Sequence, residues 1–429
     1  MTKNRIVITG ASMITPLGDE VATQMEKMYA GVSAIKSWSR ISTENIFSKI
    51  GGDLGDRSAL EGLEKIKTQL PEEIYKKAYK LISKAPWSTG HSIELALRAA
   101  LDSRWFDSKT ALDSTACIVG GTNIGQEYIF EQHKIFHEEP DYIDPFFSLY
   151  SLDTDHAGCV SESLGIKGGS YVIGGACASA SMAIRSAMDE ILYHDLERVL
   201  VVGAIYAPSA SDLHSLAIMG AISINNFNEH PEKSSRPFDK NREGFLPAHG
   251  GAALVFERLD VALARKAKIY GELLGAEISS DGNHLPQPSK DGQVRALKKL
   301  FKKTGLKPEN IDYVCAHATS TQQGDLVEIQ ALKEALGEHA YKVKINAPKS
   351  LLGHTCWSSG IVETVTALMQ MNDSKIHGSI NIDELDPEID LNIVQKTLEN
   401  QTIRHFLKNS FGFGGMNCVS AFKAYEENP

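Results

Sequence analysis

One cysteine and two histidines, each set among glycines and small polar residues, carry the groups in this chain best suited to covalent chemistry. Cys177 lies in Gly174-Gly-Ala-Cys-Ala-Ser179. The apolar run Tyr171-Val-Ile173 precedes it, and Ile184, Ala187, Met188, Ile191 and Leu192 follow at helical spacing, so the cysteine falls at a strand-to-helix turn. The glycines permit a sharp turn, and the small neighbours admit another molecule. A thiol in the first turn of a helix sits in the field of the N-terminal dipole, which favours the thiolate. That suits a nucleophile. A buried cysteine in a glycine-rich turn has the same local sequence, so the rest of the chain must decide.

Four further clusters bear on it. Val314-Cys-Ala-His317-Ala-Thr-Ser-Thr-Gln-Gln-Gly-Asp325-Leu-Val-Glu328 puts a histidine directly after a strand, where α/β folds present their ligands. Asn346-Ala-Pro-Lys349-Ser-Leu-Leu-Gly-His354 adds a lysine and a second histidine. Asn409-Ser-Phe-Gly412-Phe413-Gly414-Gly-Met-Asn417 reads as a loop with three glycines and two aromatics. Ser235-Arg-Pro-Phe-Asp-Lys-Asn-Arg-Glu-Gly-Phe245 reads as a structural salt-bridge loop. Taken singly, each has an ordinary structural explanation. Their joint order, one Cys and then two His at strand ends, points to a site.

The elements that must position these groups alternate from end to end. Strands are expected over 6–9, 116–120, 171–173, 199–202 and 252–256, with a helix over 19–29. A second series starts at 269 and runs through a helix over 293–304, a strand over 311–314, a helix over 325–336, a strand over 343–345, a helix over 359–371 and a closing strand over 419–423. This is α/β patterning in two halves, 1–258 and 259–429, joined by a charged, Ala-rich stretch over 259–268 that suits a connecting helix. The aromatic and acidic segment 123–168 lacks clear periodicity and reads as an insertion that forms an interface. The 429 residues are 42% hydrophobic and 23% charged, in the range of a large globular enzyme. A net charge of −10 argues against a general nucleic-acid binder. The six cysteines include no Cys-x-x-Cys pair, which fits a reducing compartment. No run of about 18 apolar residues is available to span a membrane. Met1-Thr-Lys-Asn4 runs straight into the first strand without a leader, so a cytoplasmic location is expected.

With these motifs in hand, the chain resembles an elongating β-ketoacyl-acyl-carrier-protein synthase, a condensing enzyme of the thiolase superfamily. The nucleophile motif, His-x-Thr-Ser-Thr-x-x-Gly-Asp, Lys-Ser-x-x-Gly-His and Asn-Ser-Phe-Gly-Phe-Gly-Gly-x-Asn occur in the family's order, along with Arg236-Pro-Phe-Asp, Lys268-Ile-Tyr-Gly and Ser279-Ser-Asp-Gly-Asn-His284. The resemblance covers essentially the whole chain. It implies a thiolase-like fold with two similar halves in an αβαβα stack, and a decarboxylative Claisen condensation on malonyl-acyl-carrier protein. By that resemblance Cys177 carries the acyl group, and His317 and His354 stabilise the enolate. The amides of Cys177 and Phe413 form the oxyanion site, and Phe413 gates it between Gly412 and Gly414. Lys349 pairs with Glu363 behind His354, while Asp325 and Glu328 orient the His317 loop. No metal or organic cofactor is implied. The partners are a carrier protein bearing a phosphopantetheine thioester and a second ketosynthase-like subunit, identical or related. Lys65, Lys67, Lys76 and Lys77 are candidates for carrier docking.

Several positions depart from the family pattern. Ala318 follows the first histidine in place of Gly, and Ala248-His-Gly-Gly-Ala252 replaces Gly-acid-Gly-Ala-Gly. Thr355-Cys-Trp-Ser-Ser-Gly360 follows the second histidine in place of a Gly-Ala-rich run. Ala180 and Gly220 stand where the family has Gly and a carrier-holding Arg. None touches the Cys-His-His set. Together they suggest a specialised type II polyketide or fatty-acid-like pathway, with a housekeeping elongating synthase as the alternative. A CoA-dependent thiolase would need a late basic cysteine, and Cys418 lacks the Cys-x-Gly setting. A chain-length partner subunit or a loading decarboxylase would usually lack the nucleophile.

Overall fold

The computed structural model describes residues 5–107, 112–223 and 227–426. The N-terminal residues 1–4, on which the absence of a leader was judged, lie outside them. Twelve strands follow in chain order: β1 (Ile6–Ile14), β2 (Ile35–Ser37), β3 (Ile50–Gly52), β4 (Thr115–Gly120), β5 (Ser170–Ile173), β6 (Arg198–Gly203), β7 (Gly251–Arg258), β8 (Gly271–Ser280), β9 (Tyr313–Cys315), β10 (Lys344–Asn346), β11 (His405–Gly412) and β12 (Met416–Lys423). Apart from the β2–β3 ribbon, they form one sheet in the order β10-β9-β11-β12-β8-β1-β7-β6-β4-β5.

That order is a repeat. Within each half the five sheet strands, counted along the chain, stand in the order third, second, fourth, fifth, first. The second-to-third and second-to-fourth pairings are parallel, and the remaining two antiparallel, in both halves. The two first strands, β1 and β8, meet antiparallel and join the halves.

Side-chain alternation divides the packing into layers. Along β4, Ala116 and Ile118 face one cluster while Cys117 and Val119 face another, the period-2 pattern of a strand covered on both sides. The middle layer is a pair of helices, Ser179–Tyr193 and Ser359–Asp373, whose Ile184, Met188, Ile361 and Leu368 pack with Ile118 of one half and Tyr313 and Phe406 of the other. Helices Ala59–Ile66, Trp87–Asp102 and Thr154–Leu164 cover the outer face of the first half. Helices Lys290–Thr304 and Gln322–Leu336 cover that of the second. The result is an αβαβα stack, a thiolase-like α/β fold. The connection between the halves contains the short helix Leu259–Ala264. Among the described residues no helix is long and apolar enough to cross a membrane.

Three elements differ from the sequence reading. Helix Trp87–Asp102 is buried all round from Ser88 to Ala100, so it has no polar stripe to betray its period. Segment 123–168 holds the helices Gln126–Glu138, Phe147–Tyr150 and Thr154–Leu164. The glycine-rich stretch 409–417 is largely a hairpin, with β11 paired to β12 up to Gly412↔Met416, so only 413–415 turn.

Candidate active site

Cys177 stands on a strained elbow. β5 ends at Ile173, and Ala176 takes a left-handed φ of 47° before the 3-10 turn Ala176–Ala178 runs into the middle-layer helix. A non-glycine residue pays about 1–2 kcal/mol for that conformation. Ser179 stitches the turn, since its Oγ accepts from the amide of Gly175 at 2.8 Å and donates to the carbonyl of Ala176 at 2.7 Å. A Cβ at Gly175 would stand 2.3 Å from Sδ of Met182, so that flexible side chain would have to shift to admit one.

The second half builds an elbow of the same shape. Cys356 has φ 52°, the 3-10 turn Cys356–Ser358 follows, and the helix Ser359–Asp373 begins at once. His354 lies two residues before that left-handed position. Its Nδ1 accepts from the amide of Cys356 at 3.2 Å and contacts Ser359 Oγ at 2.8 Å. His317 follows β9 by two residues. Glu328 accepts from the amides of His317 (2.9 Å) and Ala318 (2.8 Å) and from Asn409 Nδ2 (2.9 Å). Asp325 accepts from the amides of Thr319 (2.9 Å), Ser320 (3.1 Å) and Phe238 (2.9 Å). These two buried carboxylates therefore hold the histidine loop, and burial raises the pKa of both, that of Asp325 to about 6.

The imidazoles meet edge to face with centroids 5.5 Å apart. Lys349 Nζ donates to the carbonyl of His317 at 2.6 Å and faces its Nδ1 at 3.4 Å. A donor at Nδ1 on both rings leaves each neutral imidazole protonated on Nε2. Burial, with Lys349 and Lys408 adding repulsion, holds both rings well below the ordinary histidine range, so they are neutral at pH 7. Lys349 in turn is ion-paired with Glu363.

Gly412 brings β11 against the elbow, since a Cβ there would lie 2.7 Å from the carbonyl oxygen of Gly175 and 3.2 Å from the amide nitrogen of Cys177. Gly414 and Gly415, with φ 79° and 74°, turn the chain after Phe413, whose ring is partly exposed. The backbone N–H groups of Phe413 and Cys177 both lie against the Cys177 thiol. Even so, burial outweighs these amides and the Lys349 ammonium and pushes the thiol up to about 11. Desolvation in the buried turn thus works against the dipole-favoured thiolate expected from the sequence.

Cys177, His317, His354, Gly412 and Phe413 line one cavity of about 350 Å³, with Phe245 opposite Phe413 and Thr319 and Thr321 along one wall. Gly414 borders the turn without lining it, and Lys349, Glu363, Asp325 and Glu328 stand behind the walls. The four surface lysines are not brought to this cavity. Lys65 pairs with Asp19, Lys67 with Glu64 and Lys76 with Glu72. All four lie on or just after helices Ala59–Ile66 and Glu72–Ile82, which cover the first half. The segment 235–245 is held by ion pairs of Arg236 with Asp239 and Arg242 with Asp386, yet its Glu243, Gly244 and Phe245 reach the cavity. Sequence reasoning missed Lys408, which immediately precedes the Asn409 motif. A lysine after the apolar Phe406-Leu407 in a strand was the available signal.

A duplicated five-layer fold with cysteine and histidine elbows facing one cavity defines a thiolase-like acyltransferase. Family models for the beta-ketoacyl synthase N-terminal and C-terminal domains match residues 3–262 and 270–383. The chain is 31% identical over 431 residues to a 3-oxoacyl-[acyl-carrier-protein] synthase 2 of Synechocystis, covering 99% of each chain. It is 30% identical over 422 residues to the polyketide biosynthesis malonyl-ACP decarboxylase PksF of Bacillus subtilis, covering 98% of this chain and 97% of that one. The crystal structure of a beta-ketoacyl synthase from Burkholderia phymatum superposes with a TM-score of 0.84 at 25% identity, covering 98% of this chain and 100% of the other. The chain belongs to the beta-ketoacyl synthase family.

Proposed function

We propose that this chain performs a decarboxylative Claisen condensation that lengthens a carrier-bound acyl chain by two carbons. The acyl group passes from a phosphopantetheine thioester to Sγ of Cys177, releasing the carrier thiol. A malonyl thioester then loses CO₂, and the electrons of the broken C–C bond form an enolate. Its carbon attacks the acyl-enzyme carbonyl, and the Cys177 thiolate leaves. The observation that carries this reading is the convergence of Cys177, His317, His354 and Phe413 on a single cavity.

Each step has a matching group. The amides of Cys177 and Phe413 that flank the sulfur also suit an oxyanion beside it. The Nε2–H groups of two neutral histidines can donate to the enolate oxygen without surrendering their protons. Burial opposes ionisation of the thiol, while Lys349 and the two amides favour the thiolate that must attack the acyl thioester.

The relative that acts as a malonyl-ACP decarboxylase favours one second reading, decarboxylation without condensation. The Cys177 nucleophile, with the Phe413 and Cys177 amides beside it, favours condensation, and the departures from the family pattern at 180, 220, 248–252, 318 and 355–360 support a specialised type II pathway rather than housekeeping elongation. The carrier would dock around the cavity mouth, where Met219, Leu285 and Phe413 are exposed. A dimer is supported by the outer edge of β5, unpaired among the described residues, and by the exposed Phe136, Tyr142, Phe146 and Leu149 of the 123–168 segment. Residues 1–258 and 259–429 act as two structural units of one site, and six free thiols suit the reducing cytoplasm. The test is to incubate the protein with acyl- and malonyl-carrier thioesters and resolve the products by mass. A β-ketoacyl-carrier longer by two carbons supports condensation, and an acetyl-carrier alone supports the decarboxylase reading.

A further inference from the structure

Two side chains that line the catalytic cavity keep a buried polar atom without a hydrogen-bond partner among the described residues: Nε2 of His354 and Oε1 of Gln293. The first is a donor, already assigned to the enolate. The second is an acceptor that the condensation leaves unused. Gln293 is only 1% exposed, so its carboxamide is shut off from bulk water. A buried acceptor left unpaired costs free energy and calls for a partner from outside the fold.

The other polar groups of that wall are already engaged. Nδ2 of Asn417 donates to Oδ1 of Asp281 at 2.6 Å, the hydroxyls of Thr319 and Thr321 lie 3.1 Å apart, and Nε2 of Gln322 donates to the carbonyl of Arg242 at 3.2 Å. Gln293 sits in the first turn of the helix Lys290–Thr304, where its amide donates to the carbonyl of Ser289 at 3.2 Å. Oγ of Ser279 donates to the carbonyl of Gly292 at 2.6 Å, and a Cβ at Gly292 would stand 1.7 Å from Oδ1 of Asp281. The helix start is therefore pressed onto the Asp281–Asn417 pair. The amide of Asp281 donates to the carbonyl of Gly415 at 2.9 Å, which ties that pair to the turn after Phe413. The backbone of Gln293 is thus fixed, while the terminal torsion of its carboxamide stays soft, so Oε1 can swing to a ligand.

What enters the cavity decides what Oε1 can meet. An ionised malonyl group and its enolate offer oxygens that accept, and no N–H or O–H that donates. A hydrocarbon acyl chain offers neither. The phosphopantetheine arm carries two secondary amides, whose N–H groups are the donors nearest the thioester. We propose that Gln293 is a substrate-binding residue whose Oε1 accepts from an amide N–H of that arm, fixing the thioester relative to Cys177 and the two histidines in both half-reactions. The inference rests on the carrier-thioester reading above.

The test pairs a change in the protein with a change in the ligand. Wild type and Gln293→Leu are each given acyl- and malonyl-pantetheine thioesters, and two oxa analogues of each in which one amide N–H is replaced by an ester oxygen. Acylation of Cys177 is followed by intact mass, and CO₂ release from the malonyl compounds by steady-state kinetics. In wild type, one of the two oxa analogues is expected to show kcat/KM lowered about fivefold, the usual effect of one neutral hydrogen bond. Gln293→Leu loses about the same factor on the parent thioesters in both steps, carried by KM, and no longer distinguishes that analogue from its parent. Its melting temperature equals or exceeds that of wild type, because an unpaired buried acceptor has been removed. Equal discrimination by the two proteins, or no discrimination by wild type against either analogue, overturns the proposal. A lowered melting temperature with an equal loss on every compound marks a structural role and does the same. Wild type that turns over none of the thioesters overturns the carrier-thioester reading, and this inference with it.

Discussion

The amide of Cys356 donates to Nδ1 of His354 at 3.2 Å, which fixes the tautomer of a ring whose other nitrogen faces the reaction cavity. A backbone N–H can only donate, so Nδ1 must accept and Nε2 must carry the proton. The buried Nε2 has no hydrogen-bond partner among the described residues, leaving its hydrogen for substrate. His317 is set the same way by Lys349. Replacing His354 with Ala removes one donor to the enolate and should slow CO₂ release from malonyl-carrier by about 10²–10³-fold, the usual effect of losing one such donor. Acylation of Cys177, followed separately by intact mass, should change far less. Equal losses in both steps would contradict this division of labour.

The raised thiol pKa has a direct kinetic signature. Thiolate is the reactive form, so alkylation of Cys177 by iodoacetamide should keep climbing as pH rises through 8 and 9 toward the value near 11, without levelling at the ordinary cysteine value. Lys349→Met removes a cation that favours the thiolate, and should slow alkylation further at any pH below that range. A plateau near pH 7 in the wild-type profile would refute the account.

Gly412 and Gly414 should fail for different reasons when changed to Ala. At 412 the new Cβ meets Gly175 and Cys177 backbone, so β11 must retreat from the nucleophile and the Phe413 amide with it. Acylation should drop by about 10²-fold, as for loss of an oxyanion donor. At 414 nothing lies within 4 Å of the added carbon, but φ is 79°, so the cost is about 1–2 kcal/mol of backbone strain in the turn. Acylation by that variant, compared with wild type at matched folded fraction, should stay within about tenfold.

The basic helices should be silent in carrier recognition. A variant with Lys65, Lys67, Lys76 and Lys77 all changed to Glu is expected to alter KM for acyl-carrier by less than about twofold, because none of the four lines the cavity. Met219→Asp and Leu285→Asp, at the rim, should raise that KM. The opposite ranking in steady-state kinetics would move docking back to the helices.

Residue types and order exposed much of this in the sequence. Strand-end glycines and histidines at 174–177, 317 and 353–354 are local features, and local chemistry survives without coordinates. The alternation of apolar runs gave the α/β class. What could not be read depends on distant packing. The protonation of Cys177 follows from how deeply the elbow is buried, which no neighbouring residue encodes. Helix Trp87–Asp102 hides its period because every face is covered. Lys408 looks like an ordinary surface residue until β9, β12 and two helices close around it. The matching strand order of the halves lies in topology, not in residues.

The central claim is that Cys177 carries the acyl chain, and intact-protein mass spectrometry after incubation with a panel of acyl-carrier thioesters addresses it most directly. The account predicts a single acyl adduct on the wild-type chain that vanishes in Cys177→Ala and persists in His317→Ala and His354→Ala. An adduct that survives in Cys177→Ala, or no adduct on the wild type with any acyl length, would contradict it.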